Sequence, residues 1–351
     1  MKRCTALLVF LLGVSGCFQP FRTEDALSFD NTLPVHIRAD LDPRASVSPL
    51  IEMPVEGGCR PIKGPRVAIL DVDGLLLNQN LTGPYSSGEN PVDLLREKLD
   101  AVARDPGLCA VVLRINSPGG AVTATDILWQ EVQAFRARTH RPVVACLMDL
   151  GCGGAYYLAT ASDLILAHPT SVVGGIGVVL NLYNLEDFMN VLSIKDQSIR
   201  AGVNTDLGDM RKELEAGSEK RKLLQAMADE FHERFKTVVT QQRPAAATGL
   251  DSFDGRVFTA TQAVQRKLID RIGYLEDALC AAKQMAGQPD AGAVVLHRCN
   301  DVARTPYATT PNVPIQATLF PASLPGAERS RLPTFLYLWQ PDPTLERLSG
   351  R

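Results

Sequence analysis

From Arg66 to Ala286 the chain alternates short apolar runs with longer stretches whose apolar residues recur every three or four positions. Val67–Val72, Leu108–Ile115, Pro142–Met148 and Leu164–Ala167 are short and rich in Val, Ile, Leu and Ala. Such runs suit strands buried on both faces. Val172–Leu180 and Ser193–Arg200 read as further strands. Helical spacing marks Pro91–Arg104, where Val92, Leu95, Leu99 and Val102 share a face. Further helices are predicted from Thr123 to Thr139, with Thr123 and Asp126 capping the first turn, and over Ala155–Ala161, Leu185–Leu192 and Leu275–Ala286. Met210–Thr240 reads as one long, charged amphipathic helix, and Thr259–Gln262 is a capping box that opens another. Asn116–Gly120 and Gly151–Gly154 interrupt the pattern as glycine-rich turns. Strands alternating with helices predict an α/β domain with largely parallel sheets over residues 64–286.

The flanks differ in kind. Lys2 and Arg3 precede an apolar run, Ala6–Val14, too short for a membrane span. Ser15 and Gly16 follow, then Cys17, so residues 1–17 read as a secretory signal. Residues 18–63 are rich in proline and polar residues and read as a flexible tether. Residues 287–351 form a proline-rich extension. Its Thr334–Trp339 stretch is apolar and suits docking on the core, on a neighbouring subunit or on a membrane.

Composition narrows the field. The 351 residues are 45% hydrophobic and 21% charged, which excludes disordered and fibrous classes. Lys and Arg number 36 against 39 Asp and Glu, a balance without the basic excess of an electrostatic nucleic-acid binder. The eight cysteines include no C-x-x-C pair, and the five histidines are scattered, so no zinc site and no cofactor are expected. Cys109 and Cys146 lie in apolar runs as buried thiols would. Cys59 and Cys299 flank the core and are able to pair, but spacing does not decide connectivity.

Three segments carry a resemblance. They are Leu113–Gly120 (LRINSPGG), Gly153–Ile165 with its Tyr156-Tyr157 pair, and Gly255–Gly273, from Gly-Arg-Val-Phe-Thr-Ala to Leu-Ile-Asp-x-Ile-Gly. In this order and spacing the chain resembles the signal peptide peptidase A (SppA) family of serine peptidases over roughly 64–285. Val14-Ser15-Gly16-Cys17 likewise resembles the bacterial lipobox, in which the cysteine is lipidated. Ordinary signal cleavage beside a chance cysteine is the plainer alternative. The resemblances imply a ClpP/crotonase-like fold of stacked ββα units. They also imply export with lipid anchoring at Cys17 to a bacterial membrane, on its periplasmic or outer face. Backbone N–H groups at Gly119 and Gly120 would form an oxyanion hole in that fold. Glycine for turn geometry alone accounts for the same residues. Implied partners are peptides or unfolded polypeptides, and further copies of the chain or an active paralogue in a ring.

The family pairs a serine nucleophile with a lysine base, and neither is found. Aligned on Tyr156-Tyr157, the serine position is Gly153. Counted from Ile199-Arg200-Ala201-Gly202, the lysine position is Thr205. A third polar position is Gly175. Glycine has no nucleophile, and threonine is no base at ordinary pH. These substitutions point to a pseudopeptidase that binds peptides or serves assembly. The competing reading is an active peptidase with displaced residues. Cys152 is the candidate substitute nucleophile, beside a helix N-terminus that would lower its pKa, and a small buried thiol is the alternative. Arg200 stays protonated and Lys195 needs a shifted register. Ser117 reads as a turn-capping hydroxyl. Asp149, Asp163 and Asp187 read as capping or solvated groups, Asp206 and Asp209 as a helix start, and Phe231 and Phe235 as core or subunit contacts.

Overall fold

The structure, a computed structural model, describes residues 49–55, 64–79, 89–248, 252–298 and 335–339. Cys17, Cys59 and Cys299 lie outside the described residues, as does the signal segment. The central strands are β2 (Arg66–Leu76), β3 (Leu108–Ala121), β4 (Val143–Cys152) and β5 (Leu164–Ala167), hydrogen-bonded in that order and parallel. Side chains alternate across this sheet. Ala68, Leu70, Val111, Leu113, Ala145 and Leu147 face one cluster, which they share with helices α1 (Pro91–Arg104), α2 (Val122–Thr139) and α3 (Gly154–Ala159). Val67, Ile69, Ala110, Val112, Val144 and Cys146 face the other, covered by α7 (Leu275–Met285). The α/β class with a largely parallel sheet is thus what the alternation of runs implied.

Both flanks contribute more than the sequence pattern promised. Strand β1 (Leu50–Pro54) lies within the expected tether, and β9 (Gly292–Arg298) within the expected extension. They pair antiparallel, and β9 also pairs in parallel with β2, giving the order β1-β9-β2-β3-β4-β5-β8, where β8 is Arg271–Ile272. The run Ala293–Leu296 is fully buried, and this burial is what draws it into the sheet. A second region of the extension, β10 (Leu336–Leu338), pairs antiparallel with β3.

Other expectations need correction. Asn116–Gly120 does not break the strand. β3 runs on through Ala121, with a register irregularity against β4 between Ile115 and Ser117. Helix α2 has no side-chain cap, and Thr123 lies inside it rather than capping it. The strand expected over 172–180 is only β6 (Val172–Gly174), because Gly174 and Gly175 take φ of +106° and +64°. β6 pairs with β4 and with β7 (Val257–Thr259). Residues 193–200 form no strand and are largely exposed. Arg200 and Arg211 there bind Asp196 and Asp209 in a surface network. Those aspartates, with Asp206 on Lys220, hold a loop rather than start a helix. The charged helix begins only at α5 (Glu219–Gln242), where Ser218 caps it after Gly217 at φ +83°. The capping box at Thr259 and Gln262 does open a helix, α6 (Ala260–Gln265). Among the described residues no helix is long and apolar enough to cross a membrane.

A charged cluster is buried at the middle of the fold. Lys98 on α1 meets Asp71 on β2 at 2.6 Å, with side chains 0% and 4% exposed. Arg114, 2% exposed on β3, stands 3.9 Å from Asp73. Burial, reinforced by the neighbouring Asp71 charge, pushes the Asp73 carboxyl up to about 7, against the opposing pull of Arg114 and Lys98. The folded state therefore holds a proton that the unfolded chain loses near pH 4, and stability falls as pH rises from about 4 to 7. Asp73→Asn is expected to be near neutral at pH 4.5 and stabilising at pH 8, by on the order of 1–3 kcal/mol in urea unfolding. Lys98→Met removes the ammonium that meets the buried Asp71 carboxylate and is expected to cost about 3–5 kcal/mol. Adding Asp71→Asn to it should recover most of that loss in the same assay.

Candidate functional site

The site forms where β3 and β4 run out side by side. β4 ends at Cys152, and the chain turns through Gly153 directly into α3. Gly153 takes φ +53° and ψ −124°, a conformation glycine adopts without steric cost. Its N–H donates to the Gly174 carbonyl at 2.8 Å, and its carbonyl accepts from the Tyr157 N–H at 3.0 Å. This sharp strand-to-helix corner presents residue 153 where a nucleophile would be displayed, and it presents only a hydrogen. On β3, the buried Ser117 hydroxyl accepts from the Gly119 N–H at 3.1 Å, within the strand rather than in the turn expected there.

A peptide strand lies across this corner. β10 is in register with the end of β3, placing Leu336 opposite Ala121, Tyr337 opposite Gly120 and Leu338 opposite Gly119. Val122 N–H donates to the Phe335 carbonyl at 3.2 Å, and Trp339 N–H donates to the Pro118 carbonyl at 3.0 Å. Because an antiparallel ladder alternates, Tyr337 and Gly120 between them are a hydrogen-bonding pair. The other edge of the segment is held by Val179, which exchanges two bonds of 2.9 Å with Leu336. Of the three docking options open for Thr334–Trp339, the described part takes the core.

The glycines make this approach possible. A Cβ on Gly119 would lie 1.9 Å from the Tyr337 carbonyl oxygen and 2.7 Å from the Gly154 nitrogen. A Cβ on Gly153 would lie 2.4 Å from that oxygen, 2.7 Å from the Tyr337 carbonyl carbon and 3.0 Å from the Leu338 nitrogen. Residue 153 therefore sits directly under the 337–338 peptide bond. Gly120 backs against Leu76, whose carbonyl oxygen would be 2.1 Å from an added Cβ. Gly175 adjoins the same spot, its would-be Cβ 3.2 Å from the Gly153 nitrogen and 3.4 Å from Trp339 Cβ.

Tyr337 itself is fully buried. Its ring stacks on Tyr157 at 5.4 Å and leans on Phe235 at 4.6 Å, and its hydroxyl donates to the Phe231 carbonyl at 2.7 Å. The Tyr157 hydroxyl in turn donates to Asp126, which also binds Arg234 at 3.1 Å. Phe231 packs against Phe335. Both phenylalanines of α5 are thus packing contacts, and they pack on the segment that fills the site. No sequence reading connects Tyr337 with Gly119 and Gly153, because it lies far along the chain from both.

The remaining candidates lie apart. Thr205 is exposed, and its hydroxyl donates to the Gly202 carbonyl at 3.0 Å, within the loop of the Arg200 and Asp209 network. The Cys152 thiol is buried and donates to the Val172 carbonyl at 3.2 Å. Burial pushes it up to about 12, the reverse of the lowering expected from a helix N-terminus. It is the buried-thiol alternative that fits. His168 is occupied with Thr170, at 2.8 Å, and packs its ring on Tyr274. Asp163 caps the Val143 N–H and binds Arg136, Asp149 accepts from Asn116, and Asp187 sits exposed in the first turn of α4 (Glu186–Val191). Lys195 is exposed. Among the described residues no group of three or more His, Cys, Asp or Glu is placed to hold a metal.

The arrangement can grip an extended backbone on both edges and bury one aromatic side chain, but residue 153 offers no attacking atom. Comparison with known proteins agrees with this architecture. The model of peptidase family S49 matches residues 136–288. A Synechocystis protein named as a protease is 31% identical over 60% of this chain and 74% of its own length. Protease 4 of Salmonella typhi is 27% identical over 64% of this chain, and the chloroplastic serine protease SPPA of Arabidopsis thaliana is 29% identical over 64%. The match spans only 35% and 33% of those two longer proteins. The chain belongs to peptidase family S49 and is a relative of SppA and Protease 4 proteins.

Proposed function

We propose that this chain is an exported, lipid-anchored member of the family that binds extended polypeptide without cutting it. The observation that carries the reading is Gly153, which stands at the strand-to-helix corner beneath a peptide bond and has no side chain to attack it. Its neighbour Cys152 supplies no thiolate, being buried with its pKa raised. Thr205, at the position of the family's base, faces solvent. What remains is a two-edged backbone site with an aromatic pocket. Backbone bonds hold any sequence in extended form, which suits peptides or unfolded polypeptide as partners.

Anchoring rests on the lipobox-like Val14–Cys17. Assembly with further copies or with an active paralogue rests on the segment 183–203. Phe188, Val191, Leu192, Ile199 and Val203 there are each more than half exposed, an apolar surface that subunit contact would cover. In a mixed ring, the Gly153 site would be silent while a paralogue's site worked.

The deciding assay is hydrolysis of unfolded casein and a fluorogenic peptide panel by the soluble chain starting after Cys17. No turnover is expected from the native chain or from Cys152→Ala. Cleavage by the native chain that persists through contamination controls would overturn the reading, and its loss in Cys152→Ala would name the nucleophile. For the anchor, labelled palmitate is expected to enter the full chain in bacterial membranes and to be absent from Cys17→Ser.

A further inference from the structure

The segment crossing the site belongs to the chain itself, and the fit around it is specific. Its backbone is bonded on one edge by β3 and on the other by Val179. Only one of its side chains is wholly buried. Leu336 and Leu338 are half-buried on the opposite face, as alternation along a strand requires, while Tyr337 is 0% exposed. Two contiguous rings, Tyr157 and Phe235, themselves 5.1 Å apart, line the Tyr337 pocket, and one acceptor, the Phe231 carbonyl, lies at the reach of a phenolic hydroxyl. A leucine would lose both ring contacts and the phenolic bond to the Phe231 carbonyl. The carbonyl that follows this side chain rests on Gly119 and Gly153, where no larger residue leaves room.

We propose that this groove selects extended segments carrying a tyrosine at the position of Tyr337, and that Phe335–Trp339 is its resident ligand. An outside peptide enters only by displacing that strand. This rests on the reading of the groove as a peptide site. The resident segment is covalently attached, so it competes at an effective concentration on the order of millimolar. A free peptide making the same contacts is therefore held off the native chain at micromolar concentrations. Gly153 contributes to residence, because a serine there would push its Cβ into the 337–338 peptide bond. The glycine that removes the nucleophile is the same one that admits the chain's own strand.

The test uses the full chain and a labelled heptapeptide of its own sequence, Thr-Phe-Leu-Tyr-Leu-Trp-Gln (residues 334–340), followed by fluorescence anisotropy. The native chain is expected to bind it weakly. Tyr337→Ala, which empties the pocket, should bind at least about ten-fold tighter, since the competing strand loses its buried anchor. Tyr337→Phe keeps the packing and loses only the bond to Phe231, so it should gain roughly five-fold, and it guards against misfolding of the alanine variant. The heptapeptide with alanine for tyrosine should bind all three at least about ten-fold more weakly. Equal binding of the heptapeptide to native chain and Tyr337→Phe would overturn residence. Binding of casein fragments by the variants with indifference to the tyrosine would overturn the selectivity and leave the groove a peptide site. Failure of every variant to bind any peptide would sink both readings. A native dimer that dissociates in Tyr337→Phe would show the strand to be a neighbour's, and would overturn residence within one chain.

Discussion

The organising constraint is the contact between two backbones with no side chain between them. The Tyr337 carbonyl rests where a Cβ on Gly119 or Gly153 would be, at 1.9 and 2.4 Å from those would-be atoms. Peptide groups approach this closely only where both facing residues lack a Cβ. Everything nearby follows from that. β3 extends beyond its bulge to offer an edge, β4 turns sharply into α3, and the aromatic residues of α3 and α5 close around the one side chain that points inward. Gly175, just past β6, adjoins Gly153 and Trp339 at the same spot.

The scaffold that holds this contact is rigid for ordinary reasons. The central parallel strands are buried on both faces, with separate apolar clusters above and below. Into this interior the fold places Lys98, Asp71, Asp73 and Arg114. Leu75 and Leu76, just beyond Asp73 on β2, pair with Gly119 and Gly120. The charged cluster and the glycine floor thus share two strands. Such a group is a costly way to obtain stability, and it ties α1 to the β2 and β3 pair in one arrangement.

Much of this was legible in the residues, and the reasons for the exceptions are physical. The buried strands announced themselves because Val, Ile and Leu run without interruption where both faces are covered. Gly119, Gly120, Gly153 and Gly175 were identified by motif, and the structure gathers them at one spot. Thr205 was identified by the same logic, and it lies in a solvent-facing loop instead. Strand β1 escaped notice, and the apolar Thr334–Trp339 stretch was seen without its strand β10, because both strands are short and form only through distant partners. β9 carried a readable apolar run, Ala293–Leu296, whose proline-rich surroundings hid it. Tyr337 had no local signal beyond the apolar stretch that contains it, since its meaning lies in two aromatic neighbours and a carbonyl from other parts of the chain.

The strand order has a consequence in time. β9 inserts between β1 and β2, so β1 has no partner until residues 292–298 exist, and β2 keeps one open edge until then. β10 pairs with β3 across a longer sequence separation still. Contacts this distant along the chain form late and slowly, after the local strand–helix units have condensed. During synthesis from the N-terminus, the edge formed by Gly119–Ala121 is therefore displayed before its own covering strand has been made. A growing chain of this protein passes through a stage in which its core is built and its groove is vacant.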